Sequence, residues 1–190
     1  METIALFGGS FDPPHLGHIA VVKALKEFDF IDRVVIMPTF LNPFKSDSYA
    51  SAQQRLRWLK EIFHNDKRVI IDDFEVNQGE KTPSIKSVEY LLQRYKKIYL
   101  VIGADNLASL SQWHRFDTLQ TKVEFIVATR DAIEIPDNYL TIAVKEDISS
   151  SQLRKKIDKN KLTTTCAEEI VQFYKEKYAK QNREDNRNTR

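Results

Sequence analysis

The chain has 190 residues, 42% of them hydrophobic and 29% charged, a composition typical of a folded protein rather than a disordered one. Its 29 basic and 27 acidic residues leave a formal charge of +2, which argues against binding to nucleic acid over a broad surface. The single cysteine, Cys166, excludes an internal disulfide and favours a reducing compartment. No apolar run approaches the roughly 18 residues of a membrane span, and the chain begins directly with a strand. We therefore expect a cytoplasmic protein with no membrane or nucleic-acid partner.

Short apolar, β-rich runs predict six strands, and longer runs with helical spacing predict helices between them. The predicted strands lie at 3–7, 33–38, 69–72, 98–102, 123–128 and 141–144. The predicted helices lie at 19–28, 51–63, 83–95, 107–110, 113–119, 152–157 and 167–180. This alternation predicts an α/β fold, a doubly wound, mainly parallel sheet with helices on both faces. We expect residues 1–182 to form one domain and residues 183–190 to be a frayed polar tail.

The sharpest feature is the stretch Gly-Gly-Ser-Phe-Asp-Pro-Pro-His-Leu-Gly-His at residues 8–18. A strand, a glycine turn and then a helix place backbone N–H groups at the carboxyl end of a strand, where open α/β sheets bind phosphates. His15 and His18 are three residues apart, so both side chains are expected on one helix face. The two histidines are also compatible with a metal site, but only Asp12 lies nearby as a further ligand. We therefore predict no metal held by the protein.

This stretch resembles the His-x-Gly-His signature of nucleotidyltransferases and is most similar to that of the nicotinate-nucleotide adenylyltransferases. The resemblance implies a Rossmann-like fold and transfer of AMP from ATP to nicotinate mononucleotide. The products would be deamido-NAD (nicotinate adenine dinucleotide) and pyrophosphate, in NAD synthesis. In that family the two histidines contact the ATP phosphates, so His15 and His18 are expected to be catalytic. The adjoining turn is expected to bind ATP through Gly8, Gly9, Ser10 and Phe11. Transfer of this kind depends mostly on positioning and electrostatics, with Mg²⁺ carried on ATP.

Two basic residues complete the predicted catalytic set. Pro43-Phe44-Lys45 resembles the family's Pro-His-Lys, whose lysine assists at the phosphates, although Phe44 replaces the histidine. Residues 148–154, Ile-Ser-Ser-Ser-Gln-Leu-Arg, resemble the family's Ile-Ser-Ser-Thr-x-Ile-Arg. Because serines at a helix start offer hydroxyls and free N–H groups, we expect ATP contacts at Ser149, Ser150 and Ser151. Arg154 is expected to act on the same phosphates. The alternatives are a solvated loop lysine and an ordinary helix cap with a surface arginine.

A nucleotide pocket is predicted after the strand at 98–102, which has the strongest strand pattern of the six. Gly103 and Asp105 stand there in a Gly-Ala-Asp segment that the family places in its nucleotide pocket, where a carboxylate accepts from ribose hydroxyls. Asp105 is equally compatible with a role as helix N-cap. Arg130 follows the fifth strand and resembles the family's nucleotide-side arginine, or else is a solvated turn residue.

The binding site for the second substrate is predicted from two weaker matches. The Trp-His pair at 113–114 resembles a family segment that lies against the nicotinate ring, so Trp113 is expected to contact the substrate. By itself a tryptophan here favours the core. Residues 82–88 can be aligned with the family's Ser-Tyr-Thr-Ile-Asp-Thr-Leu, which gives Ser84 the place of a substrate-binding threonine. In that alignment Pro83 replaces tyrosine and Lys86 replaces the acid.

Other interpretations are left open. An adenylyltransferase could use nicotinamide mononucleotide or phosphopantetheine as its acceptor, but the phosphopantetheine enzymes usually carry Thr-x-Gly-His and lack the Trp-His segment. A non-catalytic nucleotide-binding module on the same fold is disfavoured because His15, His18 and Arg154 are all present. The sequence also leaves a homo-oligomer open.

Overall fold

The computed structural model describes residues 1–43, 46–129, 134–145 and 148–188. The strands in these ranges form one sheet: β1 (Thr3–Gly9), β2 (Arg33–Pro38), β3 (Val69–Ile71), β4 (Lys97–Gly103), β5 (Glu124–Thr129) and β6 (Leu140–Ala143). Their order is β3-β2-β1-β4-β5-β6, and every neighbouring pair is parallel. The predicted doubly wound parallel sheet is therefore confirmed.

Helices lie between and after these strands: α1 (Leu16–Lys26), α2 (Ala52–Phe63), α3 (Phe74–Gln78), α4 (Ser84–Leu91), α5 (Phe116–Leu119), α6 (Ser150–Lys155) and α7 (Ala167–Asn188). Two 3₁₀ segments, Ala104–Gln112 and Lys159–Lys161, complete the described elements. Three details differ from the sequence prediction. Helix α3 stands where no helix was predicted, the segment after β4 is 3₁₀ rather than α, and α7 continues into residues 183–188, where a frayed tail was expected.

The core has a layer on each face of the sheet, because successive strand residues point to opposite faces. Ile4 and Leu6 of β1 pack with the apolar side of α4, whereas Ala5 between them packs with the apolar side of α1. A third cluster joins α2 and α6 to α7 and is centred on the fully buried Trp58 and Tyr174. No helix in the described part of the chain is long and apolar enough to cross a membrane.

Candidate active site

The strand order reverses between β1 and β4, and a crevice opens at the carboxyl ends of these two strands, as is usual for open α/β sheets. Two cavities meet there. The histidine cavity, of about 260 Å³, is lined by His15, His18 and the start of α6. The tryptophan cavity, of about 450 Å³, is lined by Trp113 and the loop before α4. Both cavities are also lined by Phe7, Gly9, Gly103 and Asn106. Two ligands can therefore meet end to end at the tips of β1 and β4.

The two histidines stand at the N-terminus of α1. His15 is the N-cap residue, and its ring stacks on that of His18 with the centroids 3.8 Å apart, so the two side chains share one face as their spacing predicts. The backbone N–H of His15 donates to Nδ1 of His18 at 3.1 Å. Because Nδ1 is the acceptor, a neutral His18 ring carries its proton on Nε2. This contact fixes the tautomer that can donate to a phosphate oxygen.

Two glycines lie close to side chains of the site. A Cβ on Gly17 would lie 3.0 Å from the His15 ring, and one on Gly103 would lie 2.4 Å from Oδ1 of Asp105. Asp105 turns its carboxylate back toward β4, accepts from the Asn106 side-chain amide at 3.2 Å, and lines the histidine cavity. The structure therefore brings Gly103 and Asp105 to the predicted nucleotide side.

Helix α6 points its N-terminus at the same cavity. Ser149 is the N-cap, and its hydroxyl accepts from the backbone N–H of Gln152 at 3.2 Å. The Ser150 hydroxyl donates to the carbonyl of Pro13 at 3.0 Å, which ties α6 to the signature stretch. Ser149 and Ser150 both line the histidine cavity, so the N-termini of α1 and α6 converge on one volume. Converging helix N-termini favour an anion there.

Arg154 lies on the other side of the signature stretch. Its guanidinium donates to the carbonyl of Asp12 at 2.6 Å and to the hydroxyl of Ser151 at 3.0 Å, and lies 5.1 Å from the centre of the Tyr49 ring. It lines a third cavity of about 310 Å³, the arginine cavity, together with Ser10. In this conformation Arg154 and Ser151 are therefore separated from the histidines by the signature stretch.

Two buried charged residues hold that stretch in place, and neither was assigned a role from the sequence. The carboxylate of Asp12 accepts from the backbone N–H groups of Tyr49 at 2.8 Å and Ala50 at 3.0 Å, and from the Tyr174 hydroxyl. Arg55 is fully buried, and burial lowers the pKa of its guanidinium while the Asp12 charge opposes that shift. It donates to the carbonyl oxygens of Ser10, Thr39, Phe40 and Ala50. The sequence did contain a signal for Arg55, since this charged residue lies on the apolar side of α2, one helical turn before Leu59.

The tryptophan cavity brings Ser84 and Trp113 together. Ser84 begins α4. Trp113 lines the cavity and also packs against the main core cluster, so its predicted core packing is confirmed and its contact with the substrate stays a prediction. Gly8 and Gly9 line the same cavity. Glu75 of α3, which the sequence analysis passed over, lines it as well.

The predicted site residues still to be located are Phe11, Lys45 and Arg130. The side chain of Phe11 is 1% exposed, packs edge-on against Phe7 and contacts the His18 ring, so it helps to hold that ring in place. Lys45 and Arg130 lie outside the described residues.

A parallel sheet with two helix N-termini and a histidine pair at its switch point defines an α/β protein of the nucleotide-binding class. The chain matches the family described as cytidylyltransferase-like over residues 6–156. A "Probable nicotinate-nucleotide adenylyltransferase" of Sulfurimonas denitrificans is 57% identical over 180 residues, covering 95% of this chain and 99% of that one. A protein of the same name from Nitratiruptor is 52% identical over 175 residues, covering 90% and 98%. The chain therefore belongs to the cytidylyltransferase-like family and, within it, to the nicotinate-nucleotide adenylyltransferases.

A solved structure supports the fold independently. The Plasmodium falciparum nicotinic acid mononucleotide adenylyltransferase complexed with NaAD superposes with a TM-score of 0.76 at 21% identity. The match covers 92% of this chain and 98% of that one, so the whole architecture is shared.

Proposed function

We propose that this protein transfers AMP from ATP to nicotinate mononucleotide, giving deamido-NAD and pyrophosphate in NAD synthesis. The observation that carries this proposal is the pair of cavities that meet at the tips of β1 and β4. The histidine cavity has the helix N-termini and imidazoles that suit a triphosphate, and the tryptophan cavity has the flat apolar wall that suits a pyridine ring. The name shared by the close relatives supports the same reaction.

The reaction is a displacement at phosphorus. A phosphate oxygen of the mononucleotide forms a bond to the α-phosphorus of ATP, and the bond from that phosphorus to the bridging oxygen breaks. The electron pair of that bond leaves with pyrophosphate. Both reactants are anions, so the protein must neutralise charge and hold them in line. We assign donation to the ATP phosphates to His18 Nε2, His15 and the N–H groups at the starts of α1 and α6. Gly103 and Asp105 would hold the nucleoside end of ATP.

Mg²⁺ is proposed to enter bound to ATP. Among the residues that the structure describes, no group of three or more His, Cys, Asp or Glu side chains could hold a metal ion. The oxygens of the triphosphate, together with water, would supply the ligands of the ion. When bound, the ion would neutralise charge on the phosphates.

The rest of the proposal concerns residues that no contact here tests. Lys45 and Arg130, which lie outside the described residues, are proposed to contact the phosphates and the nucleotide. Arg154 is proposed to act on the same phosphates, which requires its guanidinium to leave the Asp12 carbonyl and the Ser151 hydroxyl. Ser84 and Trp113 are proposed to bind the mononucleotide. We also propose a cytoplasmic location, because the one cysteine suits a reducing compartment.

The test is pyrophosphate release with ATP and Mg²⁺, in parallel with nicotinate mononucleotide, nicotinamide mononucleotide and phosphopantetheine. We expect strong preference for the first acceptor. His18→Ala should reduce kcat by at least about 100-fold, since an electrostatic donor to the transition state is lost. His64→Ala is the matched control, because His64 is exposed at the end of α2. Activity with another acceptor alone would refute the assigned substrate, and a folded His18→Ala protein with an unchanged rate would refute the role of the histidine.

A further inference from the structure

In the described part of the chain, one polar side chain lines both cavities of the active site, that of Asn106. The histidine cavity and the tryptophan cavity share four described residues, of which Gly9 and Gly103 have no side chain and Phe7 has an apolar one. Asn106 is the fourth and lies in the first turn of the 3₁₀ segment after β4. Two substrates that meet end to end at the tips of β1 and β4 would place their reacting phosphates where the cavities join. The Asn106 amide would therefore lie beside the reacting groups.

The side-chain amide of Asn106 makes only long hydrogen bonds in the unliganded protein. Its Nδ2 donates to the carbonyl of Gly103 at 3.3 Å and to Oδ1 of Asp105 at 3.2 Å. These distances lie at or beyond the long end of the usual range for an N–H···O hydrogen bond. An ionised phosphate oxygen accepts a shorter and stronger bond from such a donor. Nδ2 can therefore exchange one of its present bonds for a bond to a phosphate.

The reacting phosphate needs donors on two sides. His15, His18 and the starts of α1 and α6 line the histidine cavity, on the side of ATP. The α-phosphorus must also face the tryptophan cavity, because the acceptor oxygen reaches it from there. When the new bond to that oxygen forms and the bond to the bridging oxygen breaks, the two non-bridging oxygens stay on the α-phosphorus and carry negative charge. A fixed neutral amide at the junction would stabilise that charge at any pH.

On the basis of the proposed function, we propose that Asn106 is a catalytic residue, whose side-chain amide donates to a non-bridging oxygen of the α-phosphate during the transfer. The histidines hold the ATP phosphates from the α1 side, and Asn106 holds the transferred phosphate from the β4 side. The bond strengthens as the acceptor oxygen approaches, so its effect falls mainly on kcat. Support of Asp105 alone would instead act on the binding of ATP.

The first experiment measures kcat and both KM values with ATP, Mg²⁺ and nicotinate mononucleotide. We expect Asn106→Ala to lower kcat by about 100-fold and to change each KM by less than about threefold, as for the loss of one oxyanion donor. Asn106→Asp keeps the size of the side chain but replaces the donor with a negative charge, so its kcat should be lower still. Asn160→Ala is the matched control, because Asn160 is an exposed asparagine in the other 3₁₀ segment, and its kcat should equal that of the wild type.

The second experiment uses the separate Rp and Sp isomers of ATPαS, in which sulfur replaces one non-bridging oxygen of the α-phosphate. Sulfur is a poorer hydrogen-bond acceptor than oxygen, so one isomer should lose the bond to Asn106 in the wild type. The ratio of kcat with ATP to kcat with that isomer should therefore be about tenfold smaller in Asn106→Ala than in the wild type. A structural role of Asn106 would leave this ratio unchanged for both isomers.

An unchanged kcat in Asn106→Ala would overturn the inference, and so would a raised KM for ATP at an unchanged kcat, which would assign Asn106 to the support of Asp105. Equal ratios in the wild type and Asn106→Ala for both isomers would overturn it as well. Each of these results leaves the proposed reaction intact. No transfer by the wild-type protein to nicotinate mononucleotide would refute the proposed function itself.

Discussion

The hydroxyl of Tyr174 should stabilise the whole domain through Asp12. Tyr174 is fully buried in α7, and its hydroxyl donates to the Asp12 carboxylate, which is itself 3% exposed. Tyr174→Phe keeps the ring and its packing against Trp58 but removes this donor. A hydrogen bond to a buried charged group is worth about 1.5–3 kcal/mol, and Asp12 keeps its two backbone donors. We therefore expect the free energy of unfolding to fall by about 2 kcal/mol.

The assay is urea unfolding followed by circular dichroism, with wild type, Tyr174→Phe and Tyr178→Phe compared at one pH. Tyr178 is the matched control in the same helix, since it is only half-buried and its ring faces Tyr49. Removal of the Tyr178 hydroxyl should change the free energy of unfolding by less than about 0.5 kcal/mol. If both variants lose the same small amount, Asp12 does not depend on the Tyr174 hydroxyl, and our account of how α7 holds the signature stretch is wrong.

Three further predictions concern single residues. Gly103→Ala would put a Cβ 2.4 Å from Oδ1 of Asp105, so the carboxylate must move. The KM for ATP should then rise roughly tenfold, as expected for the loss of about one charged hydrogen bond. An unchanged KM would show that Asp105 is not part of the ATP site. Ser149→Ala should cost about 1 kcal/mol in urea unfolding through loss of the α6 cap, and more than the exposed control Ser151→Ala. Glu75 has its pKa raised from 4.5 to about 7 in the folded state, so its contribution to stability is complete below pH 4.5 and is lost as pH rises toward 7. That loss should amount to about 3 kcal/mol and be absent from Glu75→Gln, and equal pH slopes in the two proteins would contradict it.

Much of the fold could be predicted because the local signals agree with the tertiary structure. The β-rich run before Gly103 is hydrophobic without alternation, as a strand covered on both faces should be, and it forms β4 at the centre of the sheet. Ser51 and Ser149 stand at the starts of predicted helices, and as N-caps both accept from the backbone N–H three residues on. Propensity, pattern and capping indicate the same elements here, and the structure contains them.

The missed elements are short and depend on contacts that the local sequence does not contain. Helix α3 has five residues and is followed by the C-cap residue Gly79, whose φ of +69° is left-handed, so it is too short for helical spacing to predict it. The segment Ala104–Gln112 has helical spacing, but that spacing does not distinguish a 3₁₀ segment from an α-helix. Arg55 looks like a surface residue until the four carbonyl oxygens that it binds are brought around it by the fold.

Asp12 illustrates why a signature is not a complete site. In the sequence it is one acid beside two histidines, and the only role considered for it was that of a metal ligand, which was the weaker interpretation. In the structure its three donors lie 37, 38 and 162 residues further along the chain. The most distant of them, Tyr174, lies beyond residue 156, where the match to the cytidylyltransferase-like family ends. Residues 8–18 thus supply the groups that we propose meet ATP, whereas the segment at Tyr49 and the C-terminal helix hold those groups in position.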